Sequence, residues 1–166
     1  MKLVVCALAD VDSVARLHRP AGVVSLLNPD QTAAPIPGDP PRLVLRFNDI
    51  DAPRDGLVAP DADTIARLLT FAEGAPSDAR LLMHCWMGIS RSPAAAFIVA
   101  CARDPSRPEA LIAAALRQVA PSVTPNPLLV RLADEQLGRS GRMNAAILSI
   151  GRGSDAAVGA PFEFET

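Results

Sequence analysis

Leu81-Leu82-Met83-His84-Cys85-Trp86-Met87-Gly88-Ile89-Ser90-Arg91-Ser92-Pro93 is the stretch on which the reading of this chain turns. The apolar run before Cys85 reads as a strand buried on both faces. A short loop containing Gly88 follows, and a helix opens at Ser92 with Pro93 in its first turn, where a missing N–H is tolerated. A loop that feeds a helix N-terminus presents unpaired backbone N–H groups at the positive end of the helix dipole, a ready site for a doubly charged phosphate. Gly88 permits the tight curl that aims those groups inward. Into this cradle the sequence puts a thiol, whose ionised form is a strong nucleophile. Arg91 adds a planar fork able to hold two phosphate oxygens and to follow their charge into the transition state.

Outward from this segment, further apolar runs cover Leu3 to Ala9, Gly22 to Leu27 and Leu43 to Phe47. Their continuous hydrophobicity is that of strands in the centre of a parallel sheet. Helical spacing marks Val11 to Leu17, with Asp10 as N-cap, and Asp61 to Ala72, which Gly74 stops. Beyond Pro93 the pattern is helical: Ala94 to Ala102, Ala110 to Val119 behind a Ser106/Glu109 capping box, and Asn126 to Leu137. Strands alternating with helices, then helices alone, predict an α/β three-layer sandwich with a mostly parallel central sheet flanked by helices. We expect one catalytic domain over residues 1–150, a surface loop over Gln31 to Arg42, and a flexible tail over 151–166.

With 166 residues, 49% of them hydrophobic, the chain is long enough for a single core. A net charge of -2 gives no basic field for nucleic acid. No apolar run reaches the roughly 18 to 20 residues of a membrane span, and the first ten residues, which meet Asp10 early, read as a strand rather than a leader. Three sparse cysteines, Cys6, Cys85 and Cys101, argue against a disulfide framework and for the cytoplasm. The His and Cys spacings suit no metal, and no nucleotide loop is present, so no cofactor is expected.

His84-Cys85, five residues, then Arg91-Ser92 resembles the signature of the cysteine-based protein tyrosine and dual-specificity phosphatases. The resemblance extends to Gly22-Val23-Val24-Ser25-Leu26-Leu27-Asn28 and to the helix after Pro125-Asn126, and the short loops are similar to those of compact bacterial dual-specificity-like members. It implies a phosphomonoester hydrolase, acting on a phosphorylated substrate such as a phosphoprotein through a phosphocysteine on Cys85. By the same resemblance, Ser92 stabilises the leaving thiolate, the amides of Trp86, Met87, Gly88, Ile89 and Ser90 join Arg91 in binding phosphate, and His84 and Asn28 support the loop. An aspartate upstream of the cysteine acts as general acid in that family. Asp49, directly after a strand, is the first choice, and spacing leaves Asp51 open.

Other readings stand beside these. Cys6 and Cys101 sit in apolar runs and read as core. Trp86 is either a core filler or the lip of the site. A monomer is expected. A rhodanese-type sulfurtransferase would also place a cysteine in an anion loop, and a phosphate-binding module without turnover would keep the same cradle.

Overall fold

The computed structural model describes residues 1–165. Five strands form one sheet in the order β3-β2-β4-β1-β5. They are β1 (Lys2–Ala7), β2 (Gly22–Leu27), β3 (Arg42–Arg46), β4 (Arg80–Cys85) and β5 (Phe162–Glu165). The first four run parallel, with Val23 beside both Arg42 and Leu82 and with Ala7 beside Cys85, whereas β5 lies antiparallel to β1. All six residues of β2 are buried, which is why its sequence shows no alternation.

Among the described residues six α-helices cover the sheet: α1 (Val11–His18), α2 (Ala62–Glu73), α3 (Arg91–Arg103), α4 (Glu109–Val119), α5 (Pro127–Gln136) and α6 (Arg142–Ile150). One face packs into the main core with α2 to α6, and the other, through Val4, Cys6, Val23 and Leu82, packs on α1. The result is the predicted α/β sandwich, loaded unevenly. Helix α3 runs through its centre, buried without a break from Arg91 to Cys101. Small residues at Ala94, Ala95 and Ala96 let its backbone approach the sheet closely, and Phe97 fills the space beyond with a fully buried ring. Truncating such a ring to Ala costs about 3–5 kcal/mol.

Local signals set some helix ends. Asp61 and Thr64 form a reciprocal capping box at α2, and Gly74 closes that helix. Asn126 caps α5 by accepting from the Leu129 amide, with Pro127 in the first turn. The Ser106/Glu109 box is not made. Ser106 Oγ turns to Asp104, while Glu109 turns into a buried ion pair with Arg139 and a half-exposed one with Arg142. Asp10 occupies the N-cap position of α1 without a side-chain bond.

Two elements were absent from the sequence reading. Helix α6 packs on α4 and α5 and buries Met143, Ala146 and Ile147. The segment expected to be a flexible tail ends in β5, which corrects that expectation: Phe162 and Phe164 alternate inward against the core and the backbone ladders onto β1. Thr166 lies outside the described residues.

Candidate active site

Strand β4 ends on Cys85, residues 86–90 form a loop, and α3 opens at Arg91. What shapes the loop is where its carbonyls go. The Trp86 oxygen accepts from the Leu8 amide at 3.2 Å, Met87 from Gly159 at 2.9 Å, Ile89 from Thr124 at 2.9 Å, and Ser90 from Asn126 at 3.2 Å. In a planar trans peptide the next residue's N–H points opposite to the carbonyl. The amides of Met87, Gly88, Ser90 and Arg91 are therefore turned inward, and among the described residues none of these four has a protein acceptor. Gly88 takes φ +69, and a Cβ there would lie 2.9 Å from the Ala7 nitrogen, so both backbone conformation and the end of β1 demand glycine.

Cys85, 2% exposed, sits at the floor of a cleft of about 560 Å3. Ser92 Oγ, at the start of α3, donates to Cys85 Sγ at 3.1 Å. Arg91 is equally buried, and its Nη1 donates to Asn28 Oδ1 at 2.8 Å and to the Phe47 carbonyl at 3.1 Å. Those two contacts fix the plane of the guanidinium. Its Nε is buried without a hydrogen-bond partner and lies 3.8 Å from Asp49 Oδ2, which leaves that edge for a ligand. Asn28, at the end of β2, thus holds the arginine directly.

Asp49 follows β3 and lines the cleft. Its Oδ1 accepts from Ser90 Oγ and from Asn126 Nδ2, each at 2.8 Å. Two donors on one oxygen leave Oδ2 facing Arg91 across the cleft. Asp51 is turned away and pairs with Arg54 at 2.7 Å, on an exposed rim. Of the two aspartates that spacing left open, the fold brings only Asp49 to the cysteine. Asn48 steers this geometry: its Oδ1 accepts from the Val58 amide and its own amide donates to the Val58 carbonyl, both at 2.8 Å. The 51–58 segment is thereby folded back so that Leu57 lines the cleft. Trp86 stands 54% exposed at the cleft edge, so it forms part of the lip.

His84 does not reach into the loop. Its Nε2 lies 2.7 Å from Ser25 Oγ, which in turn accepts from Arg42 Nε at 2.8 Å. Burial, with the Arg42 charge behind it, pushes this histidine down to about 4. His84 ties β4 to β2 under the cleft instead of bonding the loop above it. Cys6 and Cys101 are buried thiols, both pushed up to about 12 chiefly by burial.

Sequence reasoning missed three contributors. Asn126 was legible only as the start of a helix, Ser90 only as a loop amide, and Gly159 lay in the presumed tail. No group of His, Cys, Asp or Glu among the described residues is arranged to hold a metal ion. No helix among them is long and apolar enough to cross a membrane.

No protein-family model and no curated protein matches the sequence. Solved structures do. The chain is similar to DUSP15, at 17% identity over 89% of this chain and 90% of that one, with a TM-score of 0.61. It is similar to the human tyrosine phosphatase-like serine/threonine/tyrosine-interacting protein, at 16% identity over 83% and 92%, with a TM-score of 0.65. It is also similar to human DUSP28, at 16% identity over 89% and 94%, with a TM-score of 0.59. At such identity the likeness is one of architecture: this chain has the fold of the dual-specificity phosphatases.

Proposed function

We propose that the protein is a cysteine-dependent phosphomonoester hydrolase, a compact protein tyrosine or dual-specificity phosphatase of the bacterial type, acting through a phosphocysteine. The observation that carries the reading is the convergence on one cleft of Cys85, the Ser92 hydroxyl, the free edge of Arg91 and the Asp49 carboxyl. Fold alone does not entail turnover, since a binding module would keep the anion cradle. It would have no need of a carboxyl held over the cysteine by two donors, and neither would sulfur transfer.

In the first step the Cys85 thiolate attacks phosphorus, an S–P bond forms, the ester P–O bond breaks, and Asp49 gives its proton to the departing oxygen. Arg91 and the inward amides take up the charge on the equatorial oxygens. In the second step Asp49, now a carboxylate, takes a proton from water as that water attacks phosphorus. The S–P bond breaks, and Ser92 Oγ donates to the released thiolate. Protein donors supply all the positive charge the two steps require, so no metal or cofactor enters.

The cleft favours a phosphorylated protein side chain. Its walls carry Ile50, Leu57, Trp86 and Met87, and Arg91 is the one cation among the described residues that lines it. A polyphosphorylated headgroup would ask for several. Three unpaired cysteines agree with work in the reducing cytoplasm. We further read the catalytic domain as extending through β5, which completes its sheet.

The test is hydrolysis of phosphotyrosine and phosphoserine peptides by the wild type and by Cys85→Ser. The variant should lose turnover and still bind the phosphopeptide. Wild-type-level hydrolysis by Cys85→Ser would refute the mechanism, and thiosulfate-dependent cyanide conversion by the wild type would favour sulfur transfer.

A further inference from the structure

We propose that the chain crossing after α6, residues 151–160, is a positioning element for the phosphate-binding loop, with Gly159 as the residue that aims the Gly88 amide. The inference rests on the phosphatase reading of that loop and adds to it a determinant of activity far from the signature in sequence.

The crossing touches the loop's supports at two places. Near its start, the Gly153 amide donates to Thr124 Oγ1 at 3.0 Å and the Ser154 amide to the Pro121 carbonyl at 3.0 Å. Thr124 is the residue whose own amide holds the Ile89 carbonyl. A Cβ on Gly153 would collide with the Ser122 carbonyl carbon, so the two backbones run in direct contact. Near its end, the buried Gly159 donates to the Met87 carbonyl at 2.9 Å. A Cβ on Gly159 would lie 2.7 Å from the Gly88 oxygen and 3.1 Å from its carbon. Beyond it, β5 pairs with β1, the strand whose last residues abut Gly88 from the other side.

Gly88 is thus gripped between the end of β1 and the crossing. Because the Met87 carbonyl and the Gly88 N–H belong to one rigid peptide plane, the bond from Gly159 sets the direction of an amide that faces the anion. Gly159 has an ordinary backbone conformation, so an added methyl group acts through the contact with Gly88 and not through its own φ. Misaiming one donor of an oxyanion site costs about 10²–10³ in kcat when the donor is lost outright. Tilting it should cost less.

Gly159→Ala should therefore lower kcat on an aryl phosphate by about 10-fold or more and weaken inorganic vanadate binding by a similar factor. The comparison variant is Phe164→Ala, which removes a buried ring from β5 and lowers the melting temperature without touching the loop. It should keep kcat and vanadate affinity within twofold at temperatures where it is folded. Activity and vanadate affinity of Gly159→Ala equal to the wild type would overturn the proposal, as would an equal loss in Phe164→Ala. A second measurement uses the wild type alone. Coupling is reciprocal, so saturating vanadate should slow hydrogen exchange of the Gly159 amide. Unchanged exchange, with vanadate shown to be bound, would also overturn it. A wild type that neither hydrolyses the ester nor binds vanadate would instead sink the phosphatase reading itself.

Discussion

Asn126 Nδ2 lies 2.8 Å from Asp49 Oδ1, joining two residues 77 positions apart, while the same side chain's oxygen caps α5 through the Leu129 amide. The cap of one helix is therefore also the bracket of the candidate general acid. Asn126→Ser keeps a good cap but loses the reach to Asp49. We expect kcat to fall about 10-fold on an alkyl phosphate, whose leaving group needs the proton, and little on p-nitrophenyl phosphate, which does not. Steady-state rates on the two substrates check this, and equal losses on both would remove Asp49 from the acid role.

Ser92 Oγ donates to Cys85 Sγ at 3.1 Å, a bond that in the proposed mechanism helps the thiolate leave phosphorus. Ser92→Ala should release the first product in a burst and then turn over about 10-fold more slowly, because breakdown of the phosphocysteine becomes limiting. Rapid-quench kinetics on an aryl phosphate reads the burst, and a slow steady state without one contradicts the assignment.

Stability should depend on pH through His84. Its folded value of about 4 lies below the ordinary 6.5. Between those values the unfolded chain binds a proton that the folded one refuses. The contribution is therefore fully present above pH 6.5 and is lost as pH falls through the window toward 4, by up to about 3 kcal/mol. Urea melts of the wild type and His84→Gln at pH 7.5 and 4.5 isolate it. The variant should lose less stability on acidification, and identical slopes would show that the buried imidazole titrates normally.

The three thiols should separate chemically. Burial holds Cys6 and Cys101 near 12, so at pH 8 both are protonated in the folded protein. Iodoacetamide followed by mass mapping should find Cys85 modified, vanadate should block it, and denaturant should be required to label the other two. Labelling of Cys6 or Cys101 in the folded state would contradict their packing.

Strand-loop-helix order around Cys85 was legible because it is local. Residues within a 13-residue stretch have their relations set by covalent geometry, by glycine's freedom at Gly88 and by the amides left open where a helix begins. The continuous apolar runs of β1, β2 and β4 likewise announced a sheet buried on both faces. Helix α6 was hidden because it is only nine residues long and begins directly after Gly138 and Gly141, which read as loop. Strand β5 was hidden because four residues with only two inward phenylalanines carry almost no periodic signal, and its pairing with β1 spans nearly the whole chain.

By itself the sequence determined the candidates for the proposed chemistry: which sulfur, which guanidinium and which hydroxyl could meet one phosphate. Only the tertiary structure decided the geometry around them. It chose Asp49 over Asp51, gave Arg91 to Asn28 and Asp49 to Asn126, sent His84 sideways to Ser25, and brought Gly159 against the loop. Each of these is a contact between segments distant in sequence, and such contacts are fixed by how helices and sheet pack together, which no spacing along the chain encodes.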